Sequence, residues 1–147
     1  FAVSSGRDSW FETKLTPTDA EGDAIEICIG LTVNFATNPE AMLTAADRIV
    51  FQVDDGDSNI DCVTEKDGTA TTTDSGIDIA SGTAVTLGFH VKSTGSVEFF
   101  VNRNKVATHT ANIPDDENLA LGAMELSGSA TGTKSMNIDY MFAAQTR

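Results

Sequence analysis

The chain has 147 residues, of which 40% are hydrophobic, and its 22 acidic residues against nine basic residues give a net charge of −13. This length predicts a single domain, residues 1–147, with a core that requires neither disulfides nor metals. No apolar run approaches the ~20 residues of a membrane-spanning helix, and the negative charge disfavours nucleic acid and anionic membranes as partners.

The chain begins at Phe1 rather than at methionine, and its first residues read as if they start within an element. We therefore expect an N-terminal segment to precede the sequence. Alternating apolar and polar residues then predict strands, because the side chains of a half-buried strand point to opposite faces in turn. The predicted strands, in chain order, are Ser9–Leu15, Ala24–Thr32, Ile49–Val53, Ile60–Thr64, Thr69–Thr73, Val85–Val91, Val97–Val101, Val106–Thr110, Leu119–Leu126 and Met136–Phe142.

Turn signals separate these strands. Asp54–Asp57 and Lys66–Gly68 are typical turn sequences, and the Gly/Ser/Thr-rich segment Ser127–Lys134 reads as a loop. Pro39–Asp47 is the one helical candidate, although a loop with a single helical turn fits equally well. Strands about ten residues apart with turns between them predict an all-β, antiparallel two-sheet β-sandwich of the jelly-roll kind.

The two cysteines, Cys28 and Cys62, lie beside apolar residues in predicted strands, so we expect buried free thiols. A bridge would require Cα atoms within about 7 Å, and the sequence leaves that alternative open. His90 and His109 lie on different strands with no Cys or His at ligand spacing, and His90 is expected to face outward. We predict no metal site and no cofactor.

Four segments near the end of the chain form a pattern: Val97–Asn102, Val106–Thr110, Asn112–Pro114 and Met136–Tyr140. The pattern resembles the concanavalin A-like lectin/glucanase (laminin-G-like) jelly roll, and in particular the small versions in tailed-phage virion proteins. That family commonly has an Asp-Gly turn where this chain has Asn102–Lys105, and asparagine tolerates the left-handed conformation that a tight hairpin needs. Within the pattern, Ile138 and Tyr140 are expected to be core residues.

The same resemblance raises the question of catalysis. Glu21, Asp23 and Glu26 fit the E-x-D-x-x-E string of laminarinase-like glycosidases, which implies Glu21 as nucleophile, Glu26 as acid/base and Asp23 as a tuning group. Retaining chemistry requires the two carboxyl groups to lie about 5–5.5 Å apart. However, Gly22 replaces the usual Ile or Leu, and the chain has a single Trp and a single Tyr. We predict that the chain is not an enzyme and has no catalytic residues.

A calcium loop is the other chemical candidate. Asp54–Asp61 is rich in carboxylates, but Ile60 and Lys66 stand where an EF-hand loop needs Gly and Glu. We expect a solvated hairpin turn.

An outward-facing aromatic residue points to a contact surface. If Val97, Phe99 and Val101 face the core, Phe100 faces outward. Trp10 and Met141 raise the same question of an outward contact. For Phe100 the alternative is packing against a loop of the same domain, and for the basic cluster Arg103–Lys105 it is a solvated turn. The candidate partner-binding residues are Phe100, Arg103, Asn104 and Lys105.

Three functions follow as expectations. The first is a non-catalytic structural protein of a bacteriophage virion, a capsid decoration or cement protein on the capsid surface. Its partners would be the major capsid protein or other virion proteins, and it would form a homo-oligomer. The alternative is a carbohydrate-binding, lectin-like module with a glycan as partner, because exposed aromatic residues flanked by polar groups stack on sugar rings. The second alternative is a laminarinase-like glycoside hydrolase.

Overall fold

The computed structural model describes residues 1–18, 25–33, 39–127 and 134–147. Within these ranges the chain forms ten strands and one short 3₁₀ helix, Pro39–Met42. The described part of the chain contains no helix that is long and apolar enough to cross a membrane. The strands are β1 Ser9–Thr18, β2 Ile25–Thr32, β3 Arg48–Val53, β4 Asn59–Lys66, β5 Thr69–Asp78, β6 Val85–Lys92, β7 Ser96–Val101, β8 Asn104–His109, β9 Ala120–Ser127 and β10 Ser135–Gln145.

The strands form two five-stranded antiparallel sheets. The front sheet has the order β10-β1-β6-β7-β8, and the back sheet has the order β5-β4-β3-β2-β9. The inner faces of the two sheets pack on one another, which is the architecture of a jelly-roll β-sandwich. The predicted fold class is confirmed.

Aromatic contacts between the sheets form the centre of the core. Phe11 and Phe89 stack within the front sheet, with ring centroids 4.8 Å apart. Phe51, from the back sheet, meets Phe99 edge to face at 5.4 Å. Such offset and edge-to-face pairs add stability beyond the burial of their area. The predicted alternation of β7 is confirmed, since Val97, Phe99 and Val101 are fully buried.

A second, smaller cluster covers the outer face of the back sheet. Cys28, Val50, Val63 and Met124 pack there against Met42 of the 3₁₀ helix. Strand β2 is therefore buried on both faces rather than half-buried as its alternation suggested. The predicted helix Pro39–Asp47 shortens to a single 3₁₀ turn, whose role is to cover this face.

The two cysteines are free, buried thiols in separate clusters. Cys28 lies in the outer cluster and Cys62 lies in the main core. Burial raises the pKa of each thiol to about 12, so both are protonated and unreactive near neutral pH.

The expectation that Ile138 and Tyr140 are core residues is wrong. They are 38% and 39% exposed. Strand β10 is an edge strand of the front sheet, and the pairing shifts there from Lys14–Tyr140 to Leu15–Ile138. A strand with one neighbour cannot be covered on all sides, and Tyr140 shares the outward direction of its partner Lys14. Most of the predicted loop Ser127–Lys134, residues 128–133, lies outside the described residues.

Candidate functional site

The outer face of the front sheet carries a groove of about 500 Å³. Strands β1, β6, β7 and β10 and the β7–β8 turn contribute its lining. This volume is in the range of small-molecule sites, about 300–1,000 Å³. The groove is therefore large enough for a ligand of one or a few rings.

Strand register brings the lining residues together. One row across the sheet runs from Phe142 through Glu12 and Gly88 to Phe100, because each is paired with the next. In the neighbouring row Trp10 is paired with His90. These residues alternate with the buried residues of their strands, so their side chains point away from the sandwich core.

Gly88 forms the floor of the groove at the centre of its row. A Cβ at this position would lie 3.1 Å from the backbone oxygen of Phe11 and 3.6 Å from Cγ of Glu12. The missing side chain leaves backbone as the floor and larger side chains around it. The depth of the groove follows from this one glycine among larger neighbours.

Aromatic rings form the walls. The Trp10 and His90 rings stack with centroids 4.9 Å apart and an angle of 13° between their planes. Trp10 is 37% exposed, and Phe142 is 54% exposed. Aromatic rings with this exposure offer flat apolar area to a ligand.

Polar groups of the groove are held by hydrogen bonds. The Tyr140 hydroxyl donates to Oε1 of Glu12 at 2.7 Å, and this bond raises the pKa of Tyr140. His90 Nε2 lies 3.1 Å from Oδ2 of Asp8, whose Oδ1 accepts from the backbone N–H of Ser93. The Tyr140 oxygen and the Glu12 carboxylate keep lone pairs that can accept hydrogen bonds from ligand hydroxyls.

Arg103 reaches the groove from the β7–β8 turn. Asn102 and Arg103 have φ of 50° and 68°, which is the pattern of a type I′ turn. The backbone N–H of Asn102 donates to the oxygen of Thr86 at 2.7 Å, and Asn102 Oδ1 accepts from the N–H of Thr86. These bonds fix the turn to β6. Among the described residues, the Arg103 side chain makes no salt bridge.

The four predicted partner-binding residues divide into two pairs. Phe100 and Arg103 line the groove, whereas Asn104 and Lys105 do not. Asn104 Nδ2 donates to the oxygen of Asn102 at 3.4 Å, and Lys105 Nζ lies 3.4 Å from Oε1 of Glu98. Met141, which raised the same question, packs against the core instead.

Sequence reasoning missed most of the groove. Glu12, Gly88, Tyr140 and Phe142 were not among the candidates, although all four line it. Alternation indicated the outward residues of single strands, but it carried no information on which strands are neighbours.

The proposed glycosidase string does not meet this groove. Glu21 and Asp23 lie outside the described residues. Glu26 lies on β2 in the back sheet, between the core residues Ile25 and Ile27. Burial, with the nearby carboxylates of Asp55, Asp54 and Glu40, raises the pKa of Glu26.

The remaining sequence candidates, the Asp54–Asp61 segment and His109, do not line the groove. In the Asp54–Asp61 segment, Gln52 Nε2 donates to Asp54 at 2.5 Å and Asp57 accepts from the N–H of Asn59. The described residues contain no group of three His, Cys, Asp or Glu side chains that could hold a metal ion. His109 is buried between Thr64 and Thr73.

Comparisons with known proteins support the fold. No family model matches the chain, and no curated protein matches it. Among solved structures, the carbohydrate-binding module CBM66 from Bacillus subtilis is similar, with a TM-score of 0.62 and 11% identity over 95% of this chain and 76% of that one.

Two further structures have the same architecture. Sheep galectin-11 has a TM-score of 0.62 and 13% identity, over 98% of this chain and 95% of that one. An alginate lyase from Pseudomonas aeruginosa has a TM-score of 0.63 and 12% identity, over 95% of this chain and 65% of that one. At these identities the likeness establishes the fold, which is an antiparallel two-sheet jelly-roll β-sandwich.

Proposed function

We propose that this chain is a non-catalytic carbohydrate-binding domain that holds a saccharide in the groove of the front sheet. The observation that carries the proposal is the groove itself, which has a backbone floor at Gly88 and aromatic walls. The similar structures include a carbohydrate-binding module and a galectin, which also supports carbohydrate binding.

The groove suits a sugar ring chemically. A pyranose has an apolar face of C–H groups and a rim of hydroxyls, so it requires a flat apolar surface beside polar partners. Trp10 and Phe100 provide the apolar surface. Glu12 and Tyr140 provide oxygens that accept hydrogen bonds, and Arg103 provides donors.

The composition of the groove supports binding without catalysis. Retaining and inverting glycosidases use two carboxyl groups that flank the scissile bond. Glu12 is the one carboxylate among the described residues that line the groove, and the Tyr140 hydroxyl already engages it. The laminarinase-like alternative therefore has no support at this site.

The virion interpretation stays a prediction from the sequence. The similar structures are a carbohydrate-binding module, a galectin and an alginate lyase, and none carries a capsid role to this chain. The carbohydrate-binding alternative therefore becomes the main proposal.

The test is a glycan array with the purified chain, followed by titration calorimetry with the sugars that bind. Tyr140→Ala should weaken sugar binding about tenfold or more, because it removes a ring and a polar partner from the groove. Ile138→Ala is the matched control. Ile138 lies on the same strand with nearly the same exposure, 38% against 39%, but it does not line the groove.

A chain that binds no glycan would contradict the proposal. Equal loss of affinity in Tyr140→Ala and Ile138→Ala would also contradict it, because the binding surface would then not be the groove.

A further inference from the structure

We infer that the groove selects a saccharide with one anionic group, a carboxylate or a sulfate ester, and that Arg103 binds this group. The inference rests on the proposed function, because it specifies the ligand class of the same groove. It is carried by the charge pairing, the backbone and the surroundings of Arg103.

Charge pairing distinguishes Arg103 from its cationic neighbours. On the same sheet Lys14 pairs with Asp139 at 2.6 Å, and Lys92 pairs with Glu98 at 2.8 Å. Lys105 also lies near Glu98. Arg103 has no carboxylate partner among the described residues, although acidic residues outnumber basic ones 22 to nine. An arginine that lines a groove without such a partner keeps its guanidinium donors available for an external anion.

The backbone at Arg103 supports a role for its side chain. Its φ of 68° lies in the left-handed region, where a side chain costs free energy that glycine avoids. The second position of a type I′ turn is commonly glycine for this reason. Arginine stands here in place of the glycine that the turn prefers, and it places a forked, permanently charged donor at the groove.

The surroundings limit the ligand to one anionic group. Glu12 lines the same groove, and the protein carries a net charge of −13. A polyanionic chain would meet repulsion from this surface over about 8 Å, the screening length at physiological salt. We therefore expect a single anionic group at Arg103, with neutral rings against Trp10 and Phe100.

The bond between Arg103 and the ligand would be charge-assisted. A guanidinium can give two parallel N–H bonds to the two oxygens of a carboxylate or to two sulfate oxygens. Such bonds are stronger than those between neutral groups, so the anionic sugar should bind at least about tenfold tighter than its neutral counterpart.

The experiment uses sets of three sugars that share a neutral core: the neutral sugar, its carboxylated form and its sulfated form. Galactose, glucose, mannose and N-acetylglucosamine cores are measured by titration calorimetry at two salt concentrations. We expect tighter binding of the carboxylated or the sulfated member, with an advantage that shrinks as salt rises. The arm that gains more identifies the anionic group.

Three variants locate the effect. Arg103→Gly should abolish the advantage of the anionic sugar over its neutral counterpart and keep the fold, because glycine suits this φ. Arg103→Lys should retain part of the advantage, since a lysine keeps the charge but loses the fork. Lys105→Ala removes a nearby charge that does not line the groove and should preserve the advantage.

Each outcome is decisive. Equal affinity for neutral and anionic sugars overturns the inference and leaves the proposed function intact. An anionic advantage that persists in Arg103→Gly also overturns it, because another residue then binds the anion. Failure of every sugar to bind overturns the proposed function together with the inference.

Discussion

Two glycines occupy positions where a side chain would be crowded, for different reasons. Gly88 keeps the floor of the groove open, whereas Gly30 lets β2 and β3 approach one another. A Cβ at Gly30 would lie 2.3 Å from the oxygen of Ile49 and 2.9 Å from Cα of Val50. The backbone at Gly30 also has a φ of +150°, which other residues rarely adopt.

We predict that Gly30→Ala destabilises the protein by about 3 kcal/mol or more, because overpacking and backbone strain add at a site bounded by backbone atoms. Urea unfolding measures the free energy. Gly88→Ala is the comparison, and a loss of about 1 kcal/mol is expected there, since its nearest contact is longer at 3.1 Å. A Gly30→Ala protein within 1 kcal/mol of the parent would refute the account of close strand approach.

A buried arginine links the 3₁₀ helix to the back sheet. Arg48 on β3 is 7% exposed. Its Nη1 donates to the oxygen of Met42 at 3.0 Å and to Oε1 of Gln52 at 2.8 Å, and its Nε donates to Oε2 of Glu65 at 2.7 Å. This guanidinium binds the last carbonyl of the helix, whose Met42 side chain packs in the outer cluster.

Removing this anchor should be costly. Arg48→Ala leaves Glu65 as a nearly buried carboxylate without its partner, and we expect a loss of about 3 kcal/mol in the free energy of unfolding. Lys14→Ala provides the contrast, because the Lys14–Asp139 pair is 41% and 48% exposed and should contribute less than about 1 kcal/mol. Similar losses for the two variants in denaturant unfolding would show that Arg48 is not a structural anchor.

His109 links the two sheets across the sandwich. It lies on β8, whereas its partners Thr64 and Thr73 lie on β4 and β5 of the back sheet. The Thr64 hydroxyl donates to the oxygen of Ala111, so it accepts from Nδ1–H of His109. Nε2 then accepts from the Thr73 hydroxyl, so both ring nitrogens of the neutral histidine of β8 are hydrogen-bonded to the back sheet.

Burial lowers the pKa of His109 below its ordinary value of 6.5. The contribution of the neutral ring to stability is therefore fully present above pH 6.5 and is lost as pH falls through the lowered pKa. We predict that His109→Asn is less sensitive than the parent protein to acidification from pH 7.5 to 5, as measured by urea unfolding.

Comparison of the parent with this variant isolates the histidine from the carboxylates. Burial raises the pKa of Glu26, Asp61 and Glu125, and their protonation favours the folded state as pH falls. His90→Asn is the control at the surface. Parallel pH profiles for the parent and His109→Asn would refute the role of His109.

The sequence predicted the architecture better than the site. Ile27, Ile29 and Phe51 reveal the inner face because period-two alternation is a local property of a half-buried strand. Alternation indicated Phe100 and its place in a hairpin turn indicated Arg103, and both residues line the groove. Tyr140 was misplaced because an apolar edge strand has the same pattern as a buried strand, and nothing local indicates how many neighbours it has.

The strands, the turns and the two-sheet class could be predicted from the residues, since they follow from local periodicity and from residues that tolerate positive φ. The groove could be recognised only from the folded structure. Glu12, Gly88 and Phe142 are far apart in the chain and become neighbours only through the register of β1 with β6 and β10. Register depends on long-range pairing, and the groove depends on register.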